Sequence, residues 1–224
     1  GVIILAMELT NEQLQRVEHY LNVKEIVYID LRMEVFDHIV SDIEAKMEVE
    51  NLDVEATFYN VTDKWNKHLK ETSNFYFGIK NSAPKLLINK TKKVFKKYYY
   101  ILIASYIIPL IAFSYLDFSF SESTQYYFNK AFQTISILFL IISLYVLIQK
   151  DKSKIKTTYS FLLKQLSLGI LTGFILVLTT SYFESNSHFN GITVGLFLSF
   201  VISVIIYFKI FKKHKQAIKK YKIS

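Results

Sequence analysis

KTKKVFKKYYYILIASYIIPLIAFSYL, residues 90–116, is the stretch that decides the fold of this chain. A lysine-rich helical segment runs there directly into an apolar block, and about 20 apolar residues suffice to cross the hydrocarbon core of a bilayer. Three more apolar blocks follow. The sequence therefore predicts four transmembrane spans, at residues 98–116, 131–149, 161–183 and 191–211. Because the connecting loops are short, neighbouring spans should form antiparallel hairpins.

The charges of the 224-residue chain are divided unevenly. Residues 1–80 contain 15 acidic and 8 basic residues, whereas residues 81–224 contain 4 acidic and 19 basic ones. Only Arg16 and Arg32 are arginine among the 27 basic residues, and lysine is less suited than arginine to bidentate recognition of phosphates or bases. We therefore expect no nucleic-acid partner. The absence of cysteine excludes disulfides and thiolate chemistry.

Lysines flank the predicted spans mainly on one side of the membrane. Seventeen of them precede span 1, join spans 2 and 3, or lie at and beyond the end of span 4, whereas Lys130 is the only lysine on the other side. Cytoplasmic loops carry an excess of lysine and arginine. Both chain termini are therefore predicted to be cytoplasmic, in a multi-pass protein of the cell (inner) membrane.

Three amphipathic helices are predicted before the first span. Thr10 and Gln13 form a capping-box pattern that opens a helix over about 11–22. A second helix is expected over about 25–49 and a third over about 53–72. The second has an apolar seam with spacings of three and four residues, which predicts one narrow buried stripe: Ile26, Ile29, Met33, Phe36, Val40, Ile43 and Met47.

These features together predict an all-α protein. Its expected parts are a small cytoplasmic three-helix bundle in an acidic head, a basic juxtamembrane linker helix, a four-helix transmembrane bundle and a basic cytoplasmic tail. Their predicted ranges are 1–80 for the head, 81–97 for the linker, 98–211 for the spans and 212–224 for the tail.

The acidic face of the second head helix is the candidate surface for a protein partner. Its residues are Asp30, Glu34, Asp37, His38 and Asp42. Glu34, His38 and Asp42 recur every fourth residue, a pattern in which histidine and carboxylates can bind a divalent metal. Three ligands spread over two turns do not make a compact site, so a solvated or helix-contacting face is the preferred interpretation. We predict no metal, cofactor or catalytic residues.

One stretch of the head resembles a known family. The run Met33-Glu34-Val35-Phe36-Asp37-His38 is followed by Glu44, a turn, and Glu55-Ala56 before another amphipathic helix. This pattern is similar to the HAAS-type helical domain of small bacterial membrane proteins, and the resemblance covers about residues 10–72. It implies a cytoplasmic head that precedes transmembrane helices and relays signals through protein contacts.

Small residues recur every fourth position in spans 3 and 4, which lets helix backbones approach closely. They are Gly169 and Gly173 in span 3, and Gly191, Gly195, Ser199 and Ser203 in span 4. In an antiparallel hairpin, the span 3 glycines would meet Ser203 and Ser199. Gly191 and Gly195 would meet Ser181 and Val177. We therefore favour packing of spans 3 and 4 within one chain, with a homo-oligomer or a partner helix as the alternative.

Lysines at the membrane surface are candidate ligands for anionic lipid head groups: Lys92, Lys93, Lys96, Lys97, Lys212 and Lys213. The same residues are explained equally well as topology determinants. No Asp, Glu, His or Arg lies at mid-membrane depth, which argues against a self-contained ion pump.

The leading functional prediction is a non-enzymatic regulatory or scaffolding membrane protein whose head makes protein contacts. The alternative is an accessory subunit of a larger membrane complex or transporter. A membrane enzyme is the third possibility, because the short outer loops offer only Glu122, Glu184 and His188 as polar groups for an active site.

Overall fold

The computed structural model describes residues 8–50, 53–74, 78–116 and 118–221. Within these ranges the chain forms seven helices and one two-stranded hairpin, so the all-α fold class is confirmed. The chain divides into two compact units. The head unit comprises residues 1–91, 155–158 and 216–224, and the membrane unit comprises residues 92–154 and 159–215.

Three helices open the head unit, as predicted: α1 (Asn11–Val23), α2 (Ile29–Glu50) and α3 (Val54–Leu69). The capping box at α1 is confirmed, because the Gln13 backbone N–H donates to the Thr10 hydroxyl and the Gln13 side chain accepts from the Thr10 N–H. At α3, the Asp53 carboxylate accepts the N–H of Ala56. Both helices therefore begin at side chains that satisfy otherwise unpaired backbone donors.

The buried row of α2 differs from the predicted seam. The side chains below 10% exposure are Leu31, Val35, Ile39, Ile43 and Met47, spaced four residues apart, together with Asp30. Ile29, Met33, Phe36 and Val40 of the predicted seam are only half-buried. The apolar face of α2 therefore consists of a central buried row with half-buried residues on both sides. It is this wide because other parts of the head pack against more than one side of the helix.

A β-hairpin follows α3, where the sequence predicted no strand. Strands β1 (Glu71–Asn74) and β2 (Gly78–Pro84) pair antiparallel, with Glu71 opposite Pro84. These segments lack the alternation of apolar and polar residues that predicts a strand. The predicted linker helix over 81–97 therefore begins later, at Lys85.

Helix α4 (Lys85–Tyr115) contributes its first two turns to the core of the head unit. Leu87 is fully buried, Ile88 is 2% exposed, and the Thr91 hydroxyl is buried and donates to the Leu87 carbonyl. Burial of one such aliphatic side chain stabilises a fold by about 1.5–3 kcal/mol. The start of α4 is therefore part of the head rather than a separate linker.

Four helices are long and apolar enough to span a membrane. They are α4, α5 (Glu122–Lys152), α6 (Thr158–Thr179) and α7 (Gly191–Tyr221). Each contains one predicted span, except that α4 ends one residue before the predicted end of span 1 and α6 ends four residues before that of span 3. Half of the most apolar stretch of α7 is buried within the protein, whereas the buried share of the corresponding stretch is 17–28% in the other three helices. Helix α7 is therefore the central helix of the membrane unit.

Gly191 and Gly195 face span 1, and their predicted pairing with span 3 is wrong. A Cβ on Gly195 would lie 2.6 Å from the Tyr106 carbonyl oxygen, and one on Gly191 would lie 3.1 Å from the Leu110 backbone. Pro109, inside α4, lies between these two contacts. The two glycines thus allow α7 to pack closely on the backbone of α4.

The remaining small residues also depart from the predicted register. A Cβ on Gly173 would be 3.5 Å from the Phe200 side chain, an ordinary contact of α6 with α7, and one on Gly169 would have nothing within 4 Å. The Ser203 hydroxyl donates to the Ser199 carbonyl within α7. Spans 3 and 4 therefore touch through Phe200 rather than through facing rows of small residues.

An aromatic cluster closes the end of the membrane unit that holds the 180–190 connection. Its rings stack or meet edge to face, with centroids between 4.5 and 6.4 Å apart. The members are Phe120, Phe128, Phe132, Tyr182, Phe183 and Phe189. The connection itself is ordered by a bridge between Phe183 and Phe189 and by a second bridge between Ser119 and His188.

Candidate functional site: the carboxylates of the second helix

Asp30, in the first turn of α2, is the buried polar centre of the head unit. It is only 4% exposed, and its Oδ1 accepts the backbone N–H of Thr158 at 2.8 Å. The neighbouring Ile29 N–H donates to the Lys156 carbonyl at 2.9 Å. Ile29 and Thr158 are the first residues of their helices, whose leading N–H groups have no partner within the helix. In each of the two bonds, the first backbone N–H of a helix therefore finds an acceptor that is far away in the sequence.

A lysine completes this arrangement from the start of α4. The Lys90 Nζ lies 3.9 Å from Asp30 Oδ2 and forms a closer ion pair with Glu34. Asp30, Glu34, Lys90 and Thr158 are called the Asp30 anchor below. Because the Asp30 carboxylate is buried, a hydrogen bond and a cation close by are what make its charge tolerable there.

The anchor brings together segments that are remote in sequence. Residues 155–158 join the second and third spans, yet they belong to the head unit. The polypeptide therefore passes from one unit to the other within α4, at each end of residues 155–158, and within α7.

The five predicted contact residues separate into two groups. Asp30 and Glu34 belong to the anchor, and the burial of Asp30 leaves it little surface for a partner. Asp37 and His38 are exposed, and Asp42 is half-buried. The predicted acidic face of α2 is thus partly internal.

Two residues of the outward-facing group, His38 and Asp42, contact Trp65 of α3. The His38 ring stacks on Trp65 with centroids 6.3 Å apart, and the Trp65 Nε1 donates to Asp42 Oδ2 at 3.1 Å. The His68 ring meets the tryptophan edge to face, with centroids 5.8 Å apart. Asp37, His38, Asp42, Trp65 and His68 are called the outer patch. Tryptophan is enriched at protein-binding surfaces, and Trp65 is half-buried here beside exposed polar side chains.

The sequence analysis missed Lys90, Thr158 and Trp65. Only Trp65 carried a signal, as the single tryptophan of the chain. Glu34, His38 and Asp42 do not form a joint metal site, because Glu34 pairs with Lys90 while Asp42 pairs with Trp65. Among the residues that the structure describes, no three His, Asp or Glu side chains are grouped closely enough to hold a metal ion.

The first and third helices are joined by an exposed ion pair and by a hydrogen bond from the half-buried Tyr20. Arg16 forms a two-pronged bond to the Glu55 carboxylate, which lowers the pKa of Glu55, and its guanidinium lies 4.5 Å from the Phe58 ring centroid. The Tyr20 hydroxyl donates to Asn66 Oδ1 at 3.0 Å. Burial raises the pKa of Tyr20 to about 12. These bonds hold the α3 side of the outer patch in place.

A polar cleft of about 790 Å³ lies elsewhere in the head unit. Its charged lining comes from Lys24, Glu25, Lys70, Glu71 and Lys156. Lysines and carboxylates both line it, so its charge does not strongly favour either an anionic or a cationic ligand. The cleft nevertheless shows that the 155–158 segment contributes to the surface of the head as well as to its core.

The candidate lipid-contacting lysines occupy different positions in the membrane unit. Lys93, Lys96 and Lys97 are exposed on α4, and Lys92 is half-buried. The Lys212 Nζ lies 5.0 Å from the Phe208 ring centroid, whereas the Lys213 Nζ lies 5.9 Å from that of Tyr159. The two neighbouring lysines of α7 therefore face different surroundings.

Comparisons with known proteins add no family: no protein-family model, no curated protein and no solved structure matches the chain. The four apolar helices define it as a multi-pass membrane protein with contacts to the lipid bilayer. Three helices and a hairpin precede those spans.

Proposed function

We propose that this chain is a non-enzymatic regulatory or scaffolding protein of the cell membrane, whose cytoplasmic head binds a protein partner through the outer patch. The observation that carries the proposal is the division of α2 into two polar regions. Near its start, Asp30 is bonded to the segment between spans 2 and 3. Further along, Asp37 and His38 face outward beside Trp65.

This division gives a physical route for regulation. A helix of 22 residues is a stiff element, so a partner that displaces or stabilises α2 at the outer patch also acts on its first turn. The bond from Asp30 to Thr158 is then strengthened or weakened. The HAAS-like pattern around Met33–His38 supports the same kind of role, since it implies signal relay through protein contacts.

The chemistry of the partner follows from the patch. Asp37 supplies negative charge, whereas the Asp42 carboxylate already lies 3.8 Å from the Lys64 ammonium group. An aromatic ring such as that of Trp65 can in addition attract a guanidinium or an ammonium group. A cationic segment of a cytoplasmic protein therefore fits the patch better than an acidic one. The lysine-rich distribution around the spans supports the cytoplasmic placement of the head.

Site-specific crosslinking tests this proposal. A photoreactive residue at Asp37, within the outer patch, is compared with one at Glu48, an exposed acid on the same helix about 17 Å away along its axis. We expect a specific protein adduct at Asp37 in host membranes, its loss when Trp65 is replaced by Ala, and none at Glu48. Equal labelling at both positions, or none at Asp37, contradicts the proposal.

The accessory-subunit alternative is favoured by one feature of α6. Gly169 is exposed beside the exposed Leu168, and a Cβ there would meet nothing within 4 Å. A small residue on a lipid-exposed helix surface permits the close approach of another transmembrane helix. A cysteine at Gly169 that crosslinks to a different membrane protein would support a larger complex, and one that crosslinks to itself would support a homo-oligomer.

A further inference from the structure

A groove between α5 and α7 opens on the surface of the membrane unit, with a volume of about 610 Å³. This lies within the usual range for a site that binds a small molecule or a lipid tail. Within the described part of the chain, the walls are almost entirely apolar and the charged lining groups are two lysines. The residues that matter are Ile142 and Tyr145 of α5, and Ile205, Phe208, Lys209 and Lys212 of α7.

The two helices run in the same direction, because they are the second and fourth of four successive spans. They touch through Phe132 and Phe197, whose ring centroids are 4.6 Å apart. Further along both helices the groove takes the place of this contact. From Val204 to Lys212 it follows α7 for about 12 Å, and the lysines lie at the end towards the C-terminus of that helix.

We propose that this groove binds one anionic phospholipid of the bilayer, with an acyl chain along its apolar walls and the phosphate between Lys209 and Lys212. Both lysines are exposed, and among the described residues no carboxylate lines the groove to compete for them. Lys212 is held over the Phe208 ring, so its ammonium group stays at the groove. This inference rests on the membrane class of the chain and does not depend on the proposed function of the head.

The selectivity of such a site comes from its lysines. An acyl chain is as well solvated by neighbouring lipid as by leucine-like side chains, so the walls supply shape rather than net affinity. Each lysine near an anionic surface contributes about 1 kcal/mol, which corresponds to a factor of about five in binding. Two lysines thus predict a preference of about 30-fold for an anionic over a zwitterionic lipid.

A matched control lies in the same helix. Lys213 follows Lys212 directly but lies by Tyr159, and Lys215 lies 4.9 Å from the Phe211 ring centroid. Neither lines the groove, so the predicted lipid contact of Lys213 does not belong to this site. A general attraction of lipids to the basic end of α7 would depend on all four lysines alike, whereas a defined site depends on Lys209 and Lys212.

Native mass spectrometry of the full chain in a mild non-ionic detergent tests the proposal, with phosphatidylglycerol and phosphatidylcholine of the same acyl chains as probes. We expect one tightly bound phosphatidylglycerol, a loss of about 30-fold in K209Q/K212Q, and little change in K213Q/K215Q. Circular dichroism confirms that both variants keep their helices.

Three outcomes overturn the proposal: equal losses in the two variants, no preference for phosphatidylglycerol over phosphatidylcholine, or several equivalent lipids bound with no single tight one. Glycerol phosphate serves as the head group without a chain. Competition by glycerol phosphate at concentrations similar to the lipid would mean that a soluble phosphate, and not a membrane lipid, is the ligand. That result also contradicts the proposal.

Discussion

The carboxylate of Asp30 accepts the backbone N–H of Thr158 at 2.8 Å, across 128 positions of sequence. The bond joins the first turn of α2 to the beginning of α6, both within the head unit. A carboxylate at a helix start also interacts favourably with the partial positive charge there. Asp30 therefore serves two helices, since it belongs to the first turn of one and accepts a leading N–H of the other.

Replacing Asp30 by Ala should destabilise the head by about 3 kcal/mol, because a buried charge-assisted hydrogen bond is lost and Lys90 loses a partner. Asp30→Asn keeps an acceptor oxygen and should cost less. Trp65 is the only tryptophan of the chain and lies in the head, so its fluorescence during urea titration reports the unfolding of this unit. Asp37→Ala, on the exposed side of α2, is the control and should change stability by less than about 0.5 kcal/mol.

The glycines of the spans should respond to alanine in a defined order. Gly195→Ala places a Cβ 2.6 Å from the Tyr106 carbonyl and should cost about 1–3 kcal/mol through overpacking. Gly173→Ala meets Phe200 at an ordinary distance, and Gly169→Ala meets nothing within 4 Å. Both should therefore be tolerated. Thermal unfolding in detergent measures the order, and a Gly169 variant as unstable as the Gly195 variant would contradict the contact between α7 and α4.

The ion pair of Arg16 and Glu55 should make head stability depend on pH in one direction. The bond to Arg16 lowers the pKa of Glu55 below its ordinary value of 4.5. Its contribution is therefore fully present above that value and is lost as the pH falls through the lower pKa of the folded state. Glu55→Gln should thus be less stable than the parent at pH 7, with the difference shrinking in acid.

Urea titrations monitored through Trp65 at several pH values measure this effect, and Glu48→Gln is the control because Glu48 is an exposed acid of α2. A stability difference between the parent and Glu55→Gln that stays constant down to pH 3 would contradict the assignment. High salt should also reduce the difference, since both side chains are exposed to solvent.

The predicted orientation can be tested without background labelling, because the chain has no cysteine. Single cysteines at Ser121, which caps α5, and at Ser153, which follows its end, lie at opposite ends of one span. An impermeant maleimide added to whole cells should label Ser121→Cys and leave Ser153→Cys unlabelled until the membrane is opened. Labelling of Ser153→Cys from outside would reverse the proposed topology.

Much of the fold follows from local sequence signals. The four spans are uninterrupted apolar blocks, and α1 and α3 begin at side chains that accept backbone N–H groups wherever they are placed. The hairpin was missed because its residues are small and polar. Within α2 the pattern predicted an apolar face but not its central row, since that row depends on which neighbours pack against the helix.

The candidate site was only partly predictable for a related reason. Asp30 and Asp37 are both aspartates on one acidic helix, and nothing local distinguishes the buried one from the exposed one. The difference is made by Thr158 and Lys90, which are brought to Asp30 by the tertiary fold. In the same way, Gly191 and Gly195 predicted a close helix approach, while the identity of the approaching helix depended on the arrangement of all four.

Hydrogen exchange at the Thr158 amide tests the central claim, that Asp30 binds the start of α6, most directly. With threonine labelled by ¹⁵N, the exchange rate of this one N–H is followed by NMR in the parent, Asp30→Ala and Asp37→Ala. We predict slow exchange in the parent and in Asp37→Ala, and exchange at least about tenfold faster in Asp30→Ala, the equivalent of about 1.4 kcal/mol. The same exchange rate in all three proteins would contradict the account.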